Sequence, residues 1–126
     1  MIEIAPNWHP VFVHFTVALL SVAAFLKLAC LFVGSESLRA QWQIVARWNL
    51  WFGAGFTLIT VVMGWLAYNS VAHDTPSHAA MTDHRNWALV TALVFVLIAI
   101  WSMLRARAGK AASVALVVRY WWLPGC

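Results

Sequence analysis

Five histidines carry most of the chemistry this chain has to offer. His9 and His14 lie in "NWHPVFVHFTVALL". His73, His78 and His84 lie in "AHDTPSHAAMTDHRNW", together with Asp74, Ser77, Met81 and Asp83. A neutral imidazole is a ligand for zinc or copper and an axial ligand for haem iron. A carboxylate beside it adds a hard ligand or orients the ring through its second nitrogen. An imidazole surrounded by hydrocarbon leaves its nitrogens unpaired unless it faces a partner or a wet cavity, so a histidine inside an apolar run points to function.

The elements that position these residues follow from composition. Of 126 residues, 63% are hydrophobic and 10% charged, with nine tryptophans and a mean hydropathy of +0.79. A soluble domain has roughly a quarter charged residues; this chain lacks the polar side chains to cover itself in water. The expected fold is all-α, an integral membrane helical bundle forming a single domain over residues 1–126, with the lipid bilayer as its first partner. Three runs satisfy the ~20 residues a bilayer-spanning helix requires: Val11 to Val33, Ile44 to Tyr68, and Trp87 to Leu104. A fourth, Ala111 to Trp122, is too short to cross and reads as a short or truncated fourth helix. The opening "MIEIAPNWHP" lacks a positive n-region, and the run after it is longer than a signal peptide's apolar core, so the first span is expected to remain in the protein.

The sequence pI of about 9.7 does not indicate nucleic acid, because the eight Lys and Arg are spread singly. They fall mainly on one side of the bundle instead. Arg39 lies in the first link and Arg47 at the adjoining start of the second span, and Arg105, Arg107 and Lys110 follow the third span. The positive-inside rule makes that side cytoplasmic and leaves the N-terminus outside. All five histidines then fall on the outer side, with Glu3, Asp74 and Asp83. Cys30 and Cys126 suggest no disulfide framework, and the absence of C-x-x-C-H removes covalent haem attachment.

Within the spans, Gly53, Thr57, Thr60, Gly64 and Ala67 share one face of the second helix, which lets a neighbouring helix or a flat ligand approach closely. His14, Ala18 and Ser21 share one face of the first. His9 and His14, five residues apart, stand ~140° apart around a helix and cannot act as one chelating pair on a regular face. His9 reads as an interfacial residue and His14 as the buried one. Thr82 or Asp83 is a fitting N-cap for the third span, which makes His84 one of its first helical residues. Two imidazoles from different helices, small residues that clear a slot, and an arginine for a propionate are what haem b requires. The expected ligands are His14 and His84, with His73 as the main substitute for either and Met81 as a remote one; a second haem would use His9 with His73 or His78. Arg85 is the expected propionate partner, and Gly53 to Gly64 the porphyrin wall. The alternative is a non-redox subunit whose outer cluster of His14, His73, Asp74, His78 and His84 binds zinc or copper, or docks a partner.

The stretches "NWHPVFVHFTVALL" and "AYNSVAHDTPSHAAMTDHRNWAL" resemble the bacterial membrane proteins grouped as domain-of-unknown-function family 2231, whose most specific mark is the H-P-x-x-V-H-F opening. The resemblance runs from residue 6 to about residue 105. It implies a small four-helix membrane domain. Some members are joined to, or resemble parts of, Rieske iron–sulfur proteins, which implies redox work. The short fourth segment departs from that pattern. Nothing in the chain identifies a substrate it would turn over. The expectation is therefore an electron-transfer subunit, working with quinone or a redox partner protein, rather than a stand-alone enzyme.

Overall fold

The computed structural model describes the backbone of residues 8–70 and 75–122 and the side chains of residues 8–69 and 79–110. It consists of three helices: α1 (Trp8–Ala29), α2 (Glu36–Ser70) and α3 (Thr75–Trp122), with no strand among the described residues. All three contain a stretch long and apolar enough to cross a membrane. A helix is the natural state of such stretches, because a lipid-exposed backbone must satisfy its polar groups within itself.

Local chemistry sets the helix ends. Pro10 sits in the first turn of α1, where a missing N–H costs nothing. At the other end, Leu31 and Phe32 donate backbone N–H to the carbonyls of Leu28 and Ala29, which tightens the last turn. Ser35 caps α2: its Oγ accepts from the Leu38 N–H, and Glu36 places a negative charge in the first turn. Arg39 reaches back from α2 to the Val33 carbonyl, and the Cys30 thiol donates to the Arg39 carbonyl. These bonds tie α1 and α2 into an antiparallel hairpin.

α2 is the centre of the molecule. α1 packs along it extensively and α3 packs on it over a smaller surface, while α1 and α3 touch only weakly. The interior is built from small and short side chains: Ala23, Ala46, Ala54, Ala99, Thr16 and Thr57 are buried with Leu20 and Leu50. The large apolar side chains point outwards, Phe32 at 87% exposed and Trp87 at 74% among them. That reverses the arrangement of a soluble protein. Lipid solvates phenylalanine as well as a core does, so close backbone approach decides what goes inside. Gly53 shows the fit, since a Cβ there would lie 2.6 Å from Leu20 Cδ2 and 3.3 Å from Leu19 Cβ.

α3 differs from expectation in two respects. The predicted fourth segment, Ala111 to Trp122, does not stand alone; it continues α3 as one helix of 48 residues. At ~1.5 Å per residue this is ~72 Å, against a hydrocarbon core of ~30 Å. No glycine or proline between Arg105 and Trp122 forces a break, and Gly109 is accommodated in the helix with open space around it. At its start, α3 begins at Thr75 and not at Thr82 or Asp83, with Pro76 in the first turn. His84 therefore lies in the third turn.

Candidate functional site

Between the three helices lies a cavity of about 670 Å³. Its floor is the C-terminal half of the small-residue face of α2: Thr57, Thr60, Gly64 and Ala67. α1 contributes His9, Val13 and Thr16, and α3 contributes Met81, His84, Arg85 and Ala88. The weak contact between α1 and α3 is what leaves this space, since both flank α2 without closing on each other.

His9 is held in place from two sides. Its Nδ1 lies 3.2 Å from the Thr60 carbonyl, which accepts the ring N–H. The ring lies over Gly64, where an added Cβ would be 2.9 Å from His9 Cε1 and 3.2 Å from Nδ1. The absence of a side chain at Gly64 thus lets the imidazole reach the α2 backbone. With its proton on Nδ1, the ring keeps a free lone pair on Nε2, the tautomer a metal-ligating histidine adopts. One turn deeper, Thr60 Oγ1 donates to the Phe56 carbonyl at 2.8 Å, so in the 2.8 Å contact between Thr16 and Thr60 it is Thr16 that donates. Thr57 Oγ1 donates to the Gly53 carbonyl.

His14 does not take the place expected for it. Its side chain is exposed, as are Ala18 and Ser21 on the same face, and it does not line the cavity. Its Nδ1–H donates to the Pro10 carbonyl of its own helix at 2.6 Å, which meets one polar requirement without a neighbouring helix. The two histidines of the opening motif exchange roles: His9 is the inward one. The two glycines are placed differently: Leu20 fills the space over Gly53, where the helices pack closely, whereas Gly64 borders the cavity.

His84 lines the cavity from α3 and remains exposed. Beside it, the Arg85 guanidinium lies 5.3 Å from the centre of the Tyr68 ring and donates to Asn86 Oδ1 at 3.3 Å. Tyr68 and Trp65 line the cavity as well, and Tyr68, four residues past Gly64, is the sequence signal for it, since it extends the same face. His73 and Asp74 lie outside the described residues, as does the side chain of His78. Among the described residues, no three His, Cys, Asp or Glu side chains come together as a metal-holding group. The residues that share this cavity of about 670 Å³ are two histidines, one arginine and a lining of threonine, glycine and apolar side chains.

No curated protein and no solved structure matches the chain. A family model, DUF2231, described as a predicted membrane protein, matches residues 5–122. With three helices able to span a bilayer and the H-P-x-x-V-H-F opening in place on α1, the chain belongs to this family of membrane proteins.

Proposed function

We propose that the chain is a membrane electron-transfer protein, or the electron-transfer subunit of a redox complex, that holds haem b between His9 and His84. The observation that carries this reading is the meeting of these two histidines, one from α1 and one from α3, on a single cavity floored by the glycine–threonine face of α2. The donor set suits haem iron, and a volume of about 670 Å³ falls among those of cofactor pockets. Haem supplies reversible one-electron chemistry when bound.

The chain's own residues perform the remaining tasks. The Thr60 carbonyl fixes the His9 tautomer and aim. Gly64 keeps the α2 wall flat, and Val13, Val17, Ala88 and Leu89 exclude water. Arg85, held over Tyr68, offers a cation to a carboxylate at the rim. The Lys and Arg residues concentrate at the other end of the bundle, and the positive-inside rule then puts the cavity on the outer side of a bacterial inner membrane, with the N-terminus outside. Quinol or a membrane redox protein would supply electrons there.

The test is an absorption spectrum of the purified full chain. A Soret band with reducible α and β bands is expected, lost in His9→Ala and in His84→Ala and retained in His14→Ala. A colourless protein, or one carrying stoichiometric zinc or copper in place of haem, refutes the proposal.

A further inference from the structure

A second cavity, of about 700 Å³, opens at the opposite end of the α2–α3 interface. It is lined by Arg47, Trp48 and Trp51 from α2 and by Arg105, Arg107 and Lys110 from α3. From Gly64 to Arg47 along α2 is ~25 Å at ~1.5 Å per residue, so one cavity lies near each surface of a ~30 Å hydrocarbon core. Among the described residues no carboxylate lines this cleft. The described acids are Glu36, about three helical turns before Arg47, and Asp83, which belongs to the histidine end.

The guanidinium groups are braced on aromatic faces. Arg47 lies 5.6 Å from the centre of the Trp51 ring, and Arg105 lies 4.4 Å from that of Trp101. Two N–H groups in the cleft wall, Arg47 Nε and Trp51 Nε1, are shielded from solvent and have no acceptor. The cleft therefore combines cationic side chains with two donors, Arg47 Nε and Trp51 Nε1, that the described residues of its walls do not use. Arginine's fork of N–H groups matches the oxygens of a phosphate.

We propose that this cleft binds a phosphate group, supplied by an anionic phospholipid of the adjoining leaflet. The bilayer source follows from the surroundings: Trp48, Trp101 and Leu104 expose their apolar surfaces beside the cleft, where acyl chains would run. Anionic charge follows from the cleft's own, since a zwitterionic headgroup brings a cation into a site with no acid among its described residues to receive it. Basic pockets between membrane helices near the cytoplasmic surface are used in this way. The proposal does not depend on what the histidine cavity holds.

The experiment uses the full chain, delipidated in neutral detergent and titrated separately with phosphatidylglycerol, phosphatidylcholine and inorganic phosphate. Bound lipid is counted by native mass spectrometry, and thermal unfolding is followed alongside. Phosphatidylglycerol should be retained and raise the Tm, and the other two should do neither. Arg47→Gln and Arg105→Gln should each weaken retention about fivefold, and the corresponding lysine variants should recover only part of it, because an ammonium keeps the charge but not the fork. Arg107→Gln alters an exposed side chain, leaves the fold intact, and should show a similar loss. Lys27→Gln, basic and exposed on α1 outside the cleft, should change little. Equal retention of phosphatidylcholine, equal protection by inorganic phosphate, or an equal loss in Lys27→Gln would overturn the proposal.

Discussion

Replacing Gly64 by alanine probes the histidine cavity with a single methyl group. The added carbon would lie 2.9 Å from His9 Cε1, inside the ~3.5–4.0 Å at which carbon atoms rest, so the ring must retreat by more than ~0.5 Å. Its bond to the Thr60 carbonyl, already 3.2 Å long, does not survive that movement. The lost bond costs about 0.5–1.5 kcal/mol, and residual crowding adds a comparable amount. Against this, glycine to alanine in a helix gains about 0.8–1.0 kcal/mol. Gly55→Ala isolates the gain, because nothing lies within 4 Å of a Cβ there. The two variants should therefore differ in stability by about 1–3 kcal/mol, measured by reversible unfolding in mixed micelles. Haem affinity should fall about 10–100-fold in Gly64→Ala alone, the usual effect of removing a bond that orients a ligating histidine. Equal stability and equal haem affinity in the two variants would show that His9 does not rest on Gly64.

Three further outcomes are expected. Gly53→Ala sets a methyl group 2.6 Å from Leu20 Cδ2 and 3.3 Å from Leu19 Cβ, which no side-chain rotation can move away, and should destabilise the α1–α2 hairpin by about 1–3 kcal/mol in the same unfolding assay. Thr16→Val removes the hydroxyl that donates to Thr60 and should cost about 0.6 kcal/mol in the same unfolding assay, with about 1.7 kcal/mol as a ceiling. Arg85→Gln removes a positive charge from the cavity rim and should lower the midpoint potential of bound haem in a redox titration, because a nearby cation favours the reduced state.

The spans were legible because their lengths and compositions meet the requirements of a bilayer. The Gly53–Ala67 stripe was legible because glycine and threonine differ visibly from their neighbours. The rotational phase of α1 was not. His9, Val13, Thr16, Leu20 and Ala23 recur on one face, and His14, Ala18 and Ser21 on another; both include small residues. In water, hydropathy would decide between them, but in lipid an apolar side chain suits either face. The decision comes from pairwise fit, Leu20 over Gly53 and the Thr16 hydroxyl on Thr60, which depends on α2 and so is invisible in α1 alone. The start of α3 was misplaced for another reason. Thr82 and Asp83 are competent caps, but Pro76 begins the helix upstream and they become ordinary helical residues.

The uneven attachment of the three helices also orders the assembly of the protein. α1 and α2 leave the ribosome first, and the contacts that hold them together, from the Arg39 clasp to the His9–Thr60 bond, need nothing that follows. The binding chamber is unfinished at that stage, because His84, Arg85 and its third wall arrive only with α3. Capture of any ligand that bridges His9 and His84 would thus be the last event of biogenesis, and such a ligand would fasten the most loosely held helix.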